Sequence, residues 1–98
     1  MRTIMLKGDG AVVGHVTVRV IENGHGESFV VARSRAQRLL AQCGQCESVT
    51  LDFDGVDQIG QGFADEIFRV FANQHPGTRL ARVNCNADVE RMVRHVMP

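Results

Sequence analysis

The chain has 98 residues with 11 Lys and Arg against 11 Asp and Glu, so its zero net charge lacks the basic excess that a nucleic-acid binder uses against phosphates. That length allows one core and one domain of about 13 Å radius of gyration, and the 44% hydrophobic and 22% charged content is ordinary for a globular chain. No apolar run approaches the roughly 18 residues needed to span a bilayer, the opening MRTIMLKGDG lacks a signal-peptide core, and three cysteines fit a reducing compartment, so the expected location is the cytoplasm.

Thr3 to Leu6 reads as a short strand, and Gly8-Asp9-Gly10 as a turn. Val12 to Ile21 alternates, with Val16, Val18 and Val20 on one face and His15, Thr17 and Arg19 on the other. Such alternation predicts a half-buried strand paired with the first as a hairpin. Asn23-Gly24-His25-Gly26 breaks it and reads as the longest loop. Phe29 to Ala32 is apolar and β-prone, and Ser34-Arg35-Ala36-Gln37 has the spacing of a capping box. A first helix follows with Ala36, Leu39, Leu40 and Cys43 inward, and Gly44 is its natural stop.

Ser48 to Asp54 places Val49, Leu51 and Phe53 opposite Thr50 and Asp52. The second helix begins near Gly60 to Gly62. At about 100° per residue, Phe63, Ala64, Ile67, Phe68, Val70 and Phe71 fill an apolar arc of about 160°. Asp65 and Arg69 form an i,i+4 pair on its polar side, and His75-Pro76-Gly77 ends it. Arg79 to Val83 is a last strand. It leads to a helix capped around Asn84 to Asn86, with Val89, Met92, Val93 and Val96 inward and Glu90 paired to Arg94 outward.

The order β-β-(β)-α-β-α-β-α predicts an α/β, α+β-like two-layer fold. Its mixed sheet is mostly parallel, with an antiparallel N-terminal edge. Strands buried on both faces read as continuous apolar runs, whereas these alternate. Helices are therefore expected mainly on one face, leaving a polar second face.

Four patterns touch on chemistry. Asp52-Phe53-Asp54-Gly55 resembles the phosphatase motif of the haloacid-dehalogenase superfamily, but the only lysine, Lys7, precedes it and the remaining chain is too short for that fold. The plainer reading has Asp52 facing the sheet edge and Asp54 capping a turn. Gly60-Gln61-Gly62 hints at a phosphate cradle, yet Asp52, Asp54, Asp57, Asp65 and Glu66 crowd the same neighbourhood and would repel a phosphate. Those carboxylates could gather a hard cation and support a metal-dependent enzyme, but their spacing fits no recognised loop; no metal and no cofactor is expected. Cys43-Gly44-Gln45-Cys46 has redox spacing at a helix C-terminus, the wrong end to lower a thiol pKa, and with Cys85 it makes three ligands where structural zinc takes four. His15, His25, His75 and His95 show no ligand spacing, so no catalytic residue is assigned.

Taken together, FVVARSRAQRLL, the run from Asp52 through IGQGFADEIFRVF and the Asn84 to Asn86 helix start resemble the STAS-like domain family, small bacterial domains related to anti-sigma factor antagonists. The resemblance covers about Phe29 to Val96 and leaves residues 1–28 unmatched. It implies a mixed sheet with an antiparallel edge and helices packed against it. In the antagonists, the turn before the equivalent helix carries a Ser or Thr that a histidine-kinase-like ATPase phosphorylates. Gln61 falls at or beside that position, and no Ser or Thr occurs between Leu51 and Gly77, so that switch cannot operate at this loop. The resemblance implies a regulatory protein-interaction module whose partner is such an ATPase or a sigma-factor regulator. The expected partner-binding residues are Asp54, Asp57, Gln58, Gln61, Asp65, Glu66 and Arg69, with Val56 and Ile59 turned inward. The alternative is a small-ligand or nucleotide sensor using the turn from Asp54 to Gly62. Arg33, Arg35 and Arg38 form a positive cluster that could meet the acidic rim of a second copy, so a monomer or weak homodimer is expected.

Overall fold

The structure, a computed structural model, describes residues 5–6, 12–21 and 29–97. The anticipated Gly8-Asp9-Gly10 turn and Asn23 to Gly26 loop lie outside the described residues. Strands β1 (Met5–Leu6) and β2 (Val12–Val13) pair antiparallel, as the hairpin expectation required. The second strand is not continuous, however. Gly14 adopts φ 99° and divides it into β2 and β3 (His15–Arg19). Only glycine takes that backbone readily, and the chain changes partner there, from antiparallel β1 to parallel β5 (Ser48–Asp52).

Strand β5 is the centre of a parallel three-stranded sheet, flanked by β3 and by β7 (Arg79–Val83). Between β5 and β7 in sequence, a two-residue strand β6 (Gln58–Ile59) pairs parallel with β4 (Phe29–Val30). Val16, Val18, Val20, Val49, Leu51 and Phe53 are all buried on one sheet face. The register sets the rows of the other face as His15, Ser48 and Arg79, then Thr17, Thr50 and Ala81, then Arg19, Asp52 and Val83. His15, Thr17, Arg79, Ala81 and Val83 in those rows are exposed. This is the two-layer arrangement that the alternation predicts.

Helix α1 (Arg33–Leu40) starts one residue before the anticipated capping box. Its N-cap is Ala32, which accepts the Arg35 N–H at 3.1 Å, and no side chain caps it. A capping box is worth about 1 kcal/mol, less than the tertiary contacts that fix where the chain leaves β4 and buries Ala36 and Leu40. The helix also stops at Leu40, ahead of Gly44. That glycine is needed for space, since a Cβ there would come within 2.7 Å of the His75 ring.

Helix α2 runs in three windings: α over Gln61–Asp65, π over Glu66–Phe71 and α again over Ala72–Gln74. The π stretch has neither Gly nor Pro to announce it. It keeps Ile67, Phe68 and Phe71 in the core while Val70, expected in the apolar arc, is only half-buried. Phe68 stacks on Phe53 at 6.5 Å between ring centroids, tying the helix to the centre of the sheet. Helix α3 (Ala87–Val96) buries Val89, Val93 and Val96, with Met92 partly buried beside them, and packs on α2. Its N-cap is Asn86, whose Oδ1 accepts the Val89 N–H at 2.8 Å. Among the described residues, no helix is long and apolar enough to cross a membrane.

Candidate functional site

At the carboxyl end of β5, the chain turns sharply and heads for α2. Asp52 caps the turn, with Oδ1 accepting the Asp54 N–H at 3.0 Å and the Asn84 Nδ2 at 2.8 Å. Those bonds, the Asn84 amide first, hold the Asp52 carboxyl below its ordinary pKa. The cap expected of Asp54 therefore belongs to Asp52; the correction follows from geometry, because an Asx turn is closed by the residue that precedes it. Asp54 instead lies exposed, 3.6 Å from Arg19. Gly55, at φ 83°, supplies the left-handed step, and the Val56 N–H closes on Phe53 O at 3.0 Å.

The rest of the turn is stapled from two sides. Val56 and Ile59 are buried, as expected from the sequence. Asn86 Nδ2 donates to Val56 O at 3.3 Å and Asp57 O at 2.9 Å, binding the turn to the start of α3. On the other side, the Gly60 N–H donates to Val30 O at 2.8 Å. A Cβ on Gly60 would sit 3.0 to 3.1 Å from Val31 Cγ1, Cα and Cβ, so the absent side chain lets the turn lie against β4. Asp57, Gln58 and Gln61 are left exposed along this rigid edge.

Asp65, Glu66 and Arg69 are also on α2, but the structure gives them a different task. Arg33, at the start of α1, reaches Asp65 Oδ2 at 2.9 Å and Glu66 Oε1 at 3.0 Å, and Arg69 pairs with Asp65. The Arg69 and Arg33 guanidiniums lower the Asp65 pKa to about 2. The acidic rim is thus met within the chain by Arg33, a member of the cluster that could have met a second copy. Arg35 donates to Val20 O, securing α1 to the end of β3. Among the described residues, no three His, Cys, Asp or Glu side chains gather as a metal-ligand set. Asp52, Asp54, Asp65 and Glu66 lie instead against Asn84, Arg19, Arg33 and Arg69. Cys43 and Cys46 are buried in the loop after α1, and burial raises the Cys46 pKa. His15 hydrogen-bonds Ser48, while His75 lies against Phe71.

Beside the turn runs an open groove of about 480 Å³. One side is lined by Phe29 of β4, Gln58 and Ile59 of β6, and Gly60 and Gln61 where the turn enters α2. The other side is α3, through Asp88, Arg91, Met92 and His95. Neither these α3 residues nor Phe29 stand out in the sequence as binding residues. The walls come from segments about thirty and sixty residues apart, and a groove between elements leaves no local pattern. The available clue is weak: Asp88, Arg91, Met92 and His95 share one helical stripe outside the Val89-Val93-Val96 core face.

A family described as a STAS-like domain of unknown function matches residues 35–90. The chain belongs to it. No curated protein and no solved structure matches the chain. The span matched in this STAS-like domain begins within α1 and ends within α3, and so contains the whole stapled turn. It is narrower than the stretch from Phe29 to Val96 over which the sequence resemblance extends, leaving out β4 and the His95 end of the groove.

Proposed function

We propose that this STAS-like domain is a non-catalytic, regulatory protein-interaction module that docks a partner on the edge formed by Asp54, Asp57, Gln58 and Gln61. The observation carrying this reading is the stapled turn: four exposed polar residues held at the carboxyl ends of parallel strands, a usual binding position in α/β folds. The neighbouring carboxylates of Asp52, Asp65 and Glu66 are engaged within the fold by Asn84, Arg33 and Arg69. The sequence resemblance to anti-sigma factor antagonists favours a histidine-kinase-like ATPase or sigma-factor regulator as the partner, acting in the cytoplasm. With Gln61 at or beside the antagonists' hydroxyl position and no Ser or Thr between Leu51 and Gly77, the docking in this reading does not depend on phosphorylation of the turn. Asp65, Glu66 and Arg69 support the surface by fixing α2 to α1. A pull-down from the native host with the Gln61→Arg, Asp57→Lys double variant tests this. Specific partners should be lost while the fold is retained; retention of every partner would remove the surface from consideration.

A second reading, a small-ligand or nucleotide sensor, is favoured by the groove volume, which falls in the range of small-molecule sites. Thermal-shift screening with nucleotides separates the two. A ligand at 100 times its Kd would stabilise the domain by about 2.7 kcal/mol, whereas a pure docking module would show no shift.

A further inference from the structure

Strand β7 leaves an open edge. It is the last strand of its sheet, and among the described residues no strand pairs with its far side. The Arg79 N–H donates to Glu47 O at 2.9 Å, and Val83 O accepts the Phe53 N–H at 3.0 Å. Arg79, Ala81 and Val83 therefore turn their backbone groups toward β5, while Leu80 and Arg82, at the alternate positions, turn theirs outward. The helices also stop short of this strand. Val16 and Val49 share a row with Leu80, and Val18 and Leu51 with Arg82; the first four are sealed, whereas Leu80 and Arg82 are only half-buried. Exposed Val83 and Met97 lie at the same edge, with Met97 Sδ 3.9 Å from Arg82 Nη1. Several devices that keep an edge from pairing are missing. The strand has no Lys, Pro or Gly, and the inward charge of Arg82 is met by Glu90 at 2.7 Å.

The strand complements a copy of itself. Laid antiparallel about a two-fold axis at Ala81, Leu80 of one copy faces Arg82 of the other. Both carry outward N–H and C=O groups, so each such pair exchanges both hydrogen bonds. Ala81 then faces Ala81 at the narrow non-hydrogen-bonded position, where Cα atoms approach to about 4.5 Å and a small side chain fits. A shift of one residue would set outward groups against inward ones. A shift of two would oppose Arg82 to Arg82 or push it past the end of the strand. Charge on the solvent face agrees with this register. The first row carries His15 and Arg79, whereas the third carries Asp52 and Arg19, with Asp54 3.6 Å from Arg19. Antiparallel pairing runs the basic row of each copy into the acidic row of the other. The Arg79 stem then crosses Val83 and points its guanidinium toward Asp52. A parallel pairing would set like rows side by side.

We propose that β7 is a self-association edge, joining two copies of this chain into one continuous sheet in the order β3-β5-β7-β7-β5-β3 through an antiparallel pair centred on Ala81. The proposal is independent of the docking turn, and it would carry the two docking edges at opposite ends of the shared sheet. Crosslinking of the full chain tests the register. Ala81→Cys places two thiols within disulfide reach at the two-fold axis. Oxidation with copper phenanthroline should then give a covalent dimer on a non-reducing gel, which the parent, with Cys43, Cys46 and Cys85, should not form. Arg79→Cys and Val83→Cys should crosslink when mixed, and neither alone. Ala81→Arg, at an exposed position, sets like charges face to face and should raise the dimer dissociation constant about tenfold in sedimentation velocity. Amide exchange at Leu80 and Arg82 should quicken in that variant while exchange at Val83, bonded to β5, stays slow. The proposal is overturned by a parent that stays monomeric at millimolar concentration, by no crosslink from position 81, or by a dimer that Ala81→Arg leaves intact. If Ala81→Arg fails to fold, the three cysteine variants decide. None of these outcomes bears on the docking function, which the pull-down with Gln61→Arg and Asp57→Lys reads separately.

Discussion

Gly60→Ala is the sharpest test of how the turn is held. The residue has φ −82° and ψ 163°, a conformation alanine adopts freely, so no backbone strain enters. Taken alone, the loss of unfolded-state freedom would favour Ala by about 0.4–1 kcal/mol. Against that, the new Cβ meets Val31 Cγ1 at 3.0 Å and Val31 Cα and Cβ at 3.1 Å. The side chain can rotate away, but the backbone of Val31 cannot retreat without stretching the adjacent bond from the Gly60 N–H to Val30 O, now 2.8 Å. Overpacking of this kind costs about 1–3 kcal/mol, so the net should be a loss of about 1 kcal/mol, or roughly 4–8 °C in Tm for a domain of this size. Gly62→Ala is the matched control. Its Cβ would have ordinary neighbours at 3.8 and 3.9 Å inside the first turn of α2, and helix propensity should return about 0.5–1 kcal/mol. Adding Val31→Ala to Gly60→Ala should recover only part of the loss, because the new methyl still presses on the Val31 backbone. Urea and thermal melts of the four proteins decide the matter. A Gly60→Ala domain as stable as the parent would refute the account of the turn as pressed onto β4.

Three further outcomes follow from the same geometry. Phe68→Ala removes a ring that is 6% exposed and stacked on Phe53, and should cost about 3–5 kcal/mol by urea melt; a variant that melts like the parent would displace Phe68 from the core. Asn86→Ala should cost about 0.5–2 kcal/mol through the lost cap, and Asn86→Asp should restore the cap but not the amide bonds to Val56 and Asp57. Amide exchange at Gln58 should therefore quicken in both, and unchanged exchange would deny the staple. The carboxyls of Asp65 and Glu90 both titrate at about 2 in the folded chain, against about 3.9 and 4.3 unfolded. Between those values the unfolded chain binds more protons, so the stability they supply is complete above about pH 5 and is lost as pH falls toward 2. The urea midpoint should decline over that window, less steeply for Asp65→Asn or in high salt; an equal slope in the variant would contradict the pairing with Arg33 and Arg69.

Much of the fold is legible because burial writes itself into alternation. Val16, Val18 and Val20 against Thr17 and Arg19, and Val49, Leu51 and Phe53 against Thr50 and Asp52, mark both the strands and the face turned away from the core. The cap at Asn86 and the Glu90–Arg94 pair are readable for the same reason: their partners are three and four residues away. What escapes is non-local. The change of partner at Gly14 depends on which strand lies alongside. A two-residue strand such as Gln58–Ile59 is too short to show a period, and the capping box at Ser34 is a local preference outweighed by the exit from β4. The same limit governs the site. The turn, a continuous stretch, is visible in the sequence with its exposed residues. That Arg33 holds Asp65 and Glu66 across some thirty residues, and that Phe29 faces α3 over a groove, emerges only once the elements are side by side.

The burial of one sheet face under the described helices also sets how this gene can drift. Along β3 and β5, every second codon specifies a side chain sealed under the helices and the intervening one a side chain that is exposed or half-buried, so a saturation library should survive in a two-beat rhythm. Polar replacements would be purged at Val16, Val18, Val49 and Leu51 and accepted at the exposed His15 and Thr17. A sheet with helices on both faces would show no such beat.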